Sequence, residues 1–149
     1  MITKRLAELG YDFQPAALEV RGIFHSAVRV GDLVFTSGQL PSLGTVQIKG
    51  KVGADVDLAT AQKAAEICAF NCIRAVGAVA DIESIERVVK IFGMVNVADG
   101  FSDTSTVING CTEFLTKLLG ESGYHARSAV GMALPANWAV EIEMVAQVV

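Results

Sequence analysis

The sequence predicts an α+β domain: a mixed β-sheet with two helices packed on one of its faces. Three observations lead there. Val- and Ile-rich runs that read as strands stand near both ends of the chain and once in the middle. Two longer segments between them carry apolar residues at helical spacing. The resulting order is strands, helix, strand, helix, strands, with no repeat, low-complexity stretch or linker that would split residues 1–149 into more than one domain.

Thr3 to Leu9 reads as a short helix stopped by Gly10. Ala27-Val28-Arg29-Val30 and Leu33-Val34-Phe35-Thr36 flank Gly31-Asp32, the composition of a two-residue hairpin turn. Thr45 to Ile48 adds a short strand within the loosest stretch, Pro41 to Asp57. Asp57 is a natural cap for a helix running to about Ala80, whose stripe includes Ala61, Ala65, Cys68, Cys72 and Val76. Ile85 to Val97 is a strand. A second helix, about Ser102 to Leu119, ends at Gly120; Val107, Ile108, Cys111, Phe114, Leu115 and Leu118 face inward, and Ser105, Asn109, Thr112 and Thr116 form the polar stripe. Arg127 to Leu134 and Trp138 to Val148 close the chain around Pro135-Ala136-Asn137 and read as a C-terminal β-hairpin.

The composition is 52% hydrophobic and only 19% charged, which favours loss of surface to a partner subunit over a free monomer. Net charge is −4, with no basic stripe, and this argues against a nucleic-acid partner. The N-terminal residues lack a signal-peptide core and no apolar run is long enough for a bilayer, so cytoplasmic residence is the expectation, with no membrane partner. Cys68, Cys72 and Cys111 are expected as buried core residues; a metal would need two further ligands, and His25 and His125 lie far off in sequence.

The candidates for chemistry cluster late in the chain. Arg127 stands at the start of an otherwise apolar strand; it is either a solvated strand-end arginine or a planar clamp for a small carboxylate. Glu141 and Glu143 share one strand face, and either is an ordinary surface charge or holds a water. Gly38, after Ser37, lets backbone approach a ligand closely or simply ends a strand. No nucleophile elbow, phosphate loop, dinucleotide fingerprint or zinc-protease motif occurs.

Taken together and in order, Thr36-Ser37-Gly38-Gln39-Leu40-Pro41, Asn109-Gly110, Ala126-Arg127-Ser128-Ala129-Val130, Leu134-Pro135 and Val140-Glu141-Ile142-Glu143 resemble the reactive intermediate deaminase (Rid) family. It is also called the YjgF or L-PSP endoribonuclease-like family. The resemblance runs from about residue 23 to the end and leaves residues 1–22 as an N-terminal extension. It implies a chorismate-mutase-like fold, a homotrimer with clefts between neighbouring subunits, and no cofactor or metal. It implies hydrolysis of reactive 2-imino or 2-enamino acids, such as 2-aminoacrylate, to 2-oxo acids and ammonia. Arg127 matches the arginine that grips the substrate carboxylate, and Glu141 the glutamate associated with the catalytic water. Ser37 and Gly38 match cleft-lining positions, and Asn109 a family asparagine on the second helix that contributes to substrate binding.

Two positions depart from the family pattern. Phe24 stands where a tyrosine is common, and Ala129 replaces a frequent cysteine. The imine chemistry fits the residues, since a carbon conjugated to a carboxylate is already electrophilic and needs only orientation, a proton on nitrogen and water. Two other readings stand beside it: a trimer that binds small 2-oxo acids without turnover, and a ribonuclease or translation inhibitor. The acidic pI of about 5.1 weighs against the latter.

Overall fold

Asp57 and Asp103 open the two long helices in the same way. Each carboxylate accepts a hydrogen bond from the amide three residues on, at Thr60 (2.7 Å) and Thr106 (3.4 Å), so an orphan helix N–H is satisfied. In the computed structural model, which describes residues 1–149, these helices span Leu58–Val76 (α2) and Thr104–Leu119 (α3). α2 stops four residues short of the sequence expectation. Gly77 caps it, and the chain turns through Ala78 to Ala80 into a 3-10 turn at Ile82–Ser84. α3 ends where expected, with Gly120 at φ 62°. A short N-terminal helix, Ile2–Glu8 (α1), packs Ile2 and Leu6 into the same core.

The remaining elements are β1 (Glu19–Val20), β2 (Phe24–His25), β3 (Ala27–Val30), β4 (Leu33–Thr36), β5 (Ser42–Leu43), β6 (Val46–Gln47), β7 (Ile85–Asn96), β8 (Ala126–Met132) and β9 (Val140–Val148). β1–β2 and β5–β6 are small separate ribbons. The central sheet is mixed, in the order β3-β4-β9-β7-β8, with β8 parallel to β7 and the other pairs antiparallel. The β3–β4 hairpin has the expected turn, with Gly31 at φ 62°.

The C-terminal hairpin expected from the sequence does not form. β8 and β9 do not pair with each other; β7 lies between them and bonds to both. Met132 stands opposite Asn96 on one side of β7 and Val140 opposite Val95 on the other, so the intervening link crosses the end of β7. Ala136 and Asn137 adopt positive φ in that link, and the buried Asn96 amide donates to Asn137 Oδ1 at 2.9 Å. β7, α3 and β8 thus form a parallel strand–helix–strand unit.

The core is one continuous cluster of 34 residues between the helices and one sheet face, into which Tyr11 of the N-terminal segment also packs against Phe70 and Phe114. All three cysteines are buried in it, and burial pushes the Cys72 thiol up to about 12. The other sheet face carries Val28, Phe35, Phe92, Met94 and Val130 with no element of the chain over it. No helix is long and apolar enough to cross a membrane.

Candidate functional site

Arg127 is the second residue of the edge strand β8 and pairs with Ile91, which is buried beneath the helices. Its side chain therefore points to the helix-covered face and reaches α3. Nη1 donates to Thr112 Oγ1 at 3.0 Å and Nη2 to the Ser105 carbonyl at 3.2 Å. Two of the five guanidinium N–H groups are thereby used, and three remain for a ligand. Asn109 stands between Ser105 and Thr112 on the polar stripe of α3, half-buried. Ala129 follows on the same face of β8, its carbonyl accepting from Thr104 Oγ1 at 3.0 Å.

Glu141 occupies the opposite face. Its neighbours Val140 and Ile142 are fully buried under the helices, so alternation along β9 turns Glu141 away from them. Its carboxylate lies against Gly38, where an added Cβ would come within 2.0 Å of Oε2. The sequence leaves Gly38 as either a point of close ligand approach or the end of a strand; here the space its missing side chain leaves is filled by Glu141. Glu141 makes no side-chain hydrogen bond within the chain and holds its proton above the usual carboxylate range. Burial is the main cause and the Glu143 charge adds to it.

Phe24, Ser37, Gly38 and Glu141 line one open cavity of about 730 Å³, together with Trp138 and Arg74. Ser37 Oγ donates to the His25 carbonyl at 2.7 Å. Arg74 is fixed by the Gln14 carbonyl and Asn71 Oδ1 and has no carboxylate partner. The seven expected site residues thus fall into two groups: Phe24, Ser37, Gly38 and Glu141 line the cavity, and Arg127, Asn109 and Ala129 lie at the β8 edge, with Arg127 and Glu141 on opposite faces of the sheet. β7 lies between β8 and β9, and the two side chains leave opposite faces, so one chain does not bring Arg127 and Glu141 together.

Sequence reasoning weighed His125 only together with His25 and did not place it beside Arg127. It lies two residues before Arg127, hence on the same face, and that spacing was the available signal. Its Nε2 is 3.1 Å from Thr112 Oγ1 and its Nδ1 2.7 Å from the Gly123 carbonyl. No three His, Cys, Asp or Glu side chains come together as a metal site.

The chain is an α+β domain, a helix-backed mixed sheet with a strand-borne arginine on one face and a carboxylate on the other. The family described as Endoribonuclease L-PSP matches residues 14–148, and the chain belongs to that family, the one named YjgF in the resemblance above. Protein TCP17 of Trypanosoma cruzi is 35% identical over 95% of this chain and 91% of its own length. Among solved structures, the protein Atu1372 of Agrobacterium tumefaciens, of unknown function, is 42% identical, with a TM-score of 0.88 over 99% of this chain and 92% of its own. TdcF of E. coli, solved with bound serine, is 25% identical, with a TM-score of 0.63 over 91% of this chain and 95% of its own.

Proposed function

We propose that this protein is a hydrolytic deaminase of small 2-imino and 2-enamino acids, acting as a homotrimer in the cytoplasm with a cleft at each subunit boundary. The observation that carries the reading is the split site: an arginine with three free donors on one face, and a desolvated, unpartnered carboxylate on the other. A second copy can bring the Arg127 edge of one subunit to the Glu141 cavity of the next. The uncovered apolar sheet face, with Phe35 and Val130 exposed, supplies a surface for that assembly. TdcF with bound serine supports a small amino-acid-like ligand on this fold.

In the cleft Arg127 pairs with the substrate carboxylate and fixes the adjacent C=N carbon. With the imine nitrogen protonated, Glu141 accepts a proton from water as the water oxygen bonds to that carbon, and the C=N electron pair moves to nitrogen to give a 2-amino-2-hydroxy acid. Glu141 returns its proton to the amine, and the C–N bond then breaks as the hydroxyl gives its own proton to Glu141 and forms the C=O. Iminium and water thus become 2-oxo acid and ammonia, with the remaining proton on Glu141 passing to the ammonia. A carboxyl group whose pKa is raised toward neutrality suits both transfers. The reaction uses no cofactor. The test generates 2-iminopropanoate from alanine with an amino-acid oxidase and follows pyruvate release. The protein should accelerate release and run in light scattering at three times its 15.7 kDa chain mass. No acceleration, together with Arg127-dependent pyruvate binding, would leave a binding protein instead.

A further inference from the structure

We propose that Thr112 and His125 are positioning residues that hold Arg127 in a carboxylate-binding pose through a directional hydrogen-bond chain; this rests on the reading of Arg127 given above. The direction follows from the chemistry of each partner. The Gly123 carbonyl can only accept, so His125 Nδ1 carries the proton across the 2.7 Å contact. In the neutral ring Nε2 is then a bare acceptor, and the Thr112 hydroxyl donates to it at 3.1 Å. That leaves the Thr112 lone pairs for Arg127 Nη1 at 3.0 Å. With the hydroxyl hydrogen committed to His125, the oxygen is aimed at the guanidinium and is polarised as an acceptor for it.

Three elements meet in this chain: α3 supplies Thr112, the 3-10 turn Gly120–Gly123 supplies the terminal carbonyl, and β8 carries Arg127, the residue that is held. The second guanidinium anchor, the Ser105 carbonyl, comes from the same helix two turns earlier. Both anchors lie on the α3 side, so the remaining N–H groups are not drawn onto it. An arginine gripped at two points loses less rotamer freedom when a carboxylate arrives. His125 is half-buried and its pKa is lowered, mainly by burial and further by the Arg127 charge, which keeps the ring neutral as the chain requires. A strut that merely tied β8 to α3 would need none of this polarity.

The experiment compares pyruvate affinity, 2-iminopropanoate kinetics and the His125 15N shifts of the full-length wild type with Thr112→Val, Thr112→Ser, His125→Gln and His125→Phe. Near pH 7.5 the spectrum should show a protonated Nδ1 and a bare Nε2. Thr112→Val should weaken pyruvate binding and raise KM about tenfold, roughly the loss of one hydrogen bond to a charged group, with kcat little changed. Thr112→Ser keeps the hydroxyl and should restore both. His125→Gln, whose side-chain oxygen can stand in for Nε2, should outperform His125→Phe. An Nε2-protonated ring would overturn the chain whatever the activities. So would Thr112→Val binding pyruvate like wild type when Arg127→Ala does not. If wild type neither binds pyruvate nor turns over the imine, the reading of Arg127 itself falls, a result distinct from the first two.

Discussion

The two halves of the proposed site are built on opposite plans. Arg127 is held by side-chain and backbone oxygens of α3, and its neighbour His125 is held in turn. Glu141 touches no donor of its own chain, and its charge is disfavoured by burial and by Glu143. A group that recognises gains from fixed geometry, because ordering it during binding costs free energy. A group that moves protons gains from a solvent-poor surrounding that brings its pKa toward working pH. The same sheet provides both, since its helix face offers anchors and its bare face offers none.

Exchanging the loss between the halves is the sharpest way to break this contrast. Glu141→Gln should lower kcat by about 10²- to 10⁴-fold, the span of general acid–base catalysis, and leave pyruvate binding near wild type. Arg127→Ala should cost about 2–5 kcal/mol in kcat/KM, roughly 30- to 3,000-fold, and abolish pyruvate binding. Arg127→Lys should stay poor, because an ammonium keeps the charge without the fork. Titration calorimetry with pyruvate beside steady-state kinetics separates the two. A folded Arg127→Ala trimer with near-wild-type activity would remove the mechanism.

The sequence makes the helices plain and the strand partners obscure. Apolar spacing locates the buried face of α3 residue by residue, because a 3.6-residue period is a local property. The β3–β4 hairpin is equally readable, since Gly31 supplies the positive φ that its turn demands. The error lies at β8 and β9. A short link containing Pro135 and Asn137 has hairpin composition, yet it steps over the end of β7. Turn chemistry records a change of direction and not which strand fills the gap. The order β7–α3–β8 did hold the signal, as a strand–helix–strand passage favours a parallel pair. Arg127 and Glu141 were both legible as site candidates, but their opposite faces were hidden with the register.

Gly38 tests the catalytic half without removing a charge. A methyl group there would meet the tip of Glu141, a flexible side chain, and Gly38 has no left-handed backbone to strain. Gly38→Ala should therefore displace the carboxylate while folding free energy changes by less than about 1 kcal/mol. Misplacing a reacting group by about 1 Å can cost around 100-fold, so a kcat loss of about 10- to 100-fold is expected. Gly110→Ala is the contrasting control. Its methyl would meet the Gln62 carbonyl at 2.2 Å, rigid backbone in the α2–α3 contact, and thermal melting should show the loss there instead.

The smallest effect, and the one that reads both halves at once, is the pH dependence of stability. His125 has a folded pKa below its ordinary 6.5, so the unfolded chain binds its proton more readily. Its contribution is complete above the unfolded value and is lost as pH falls through the folded one. Glu141 has the opposite sign. Its folded pKa lies above the ordinary 4.5, so the folded chain binds the proton more readily, and stability falls as pH rises from about 4.5 through the folded value. Melting temperatures of wild type and two variants, measured from pH 4 to 8, give the difference curves. The His125→Gln difference should show the wild type losing relative stability on acidification below about pH 6.5, and the Glu141→Gln difference should show it gaining. Both groups are half-exposed, so screening keeps each change small. The opposite slopes are the result that matters: parallel slopes would mean that the two halves share one environment, and the division between a gripped arginine and a desolvated carboxylate would have to be abandoned.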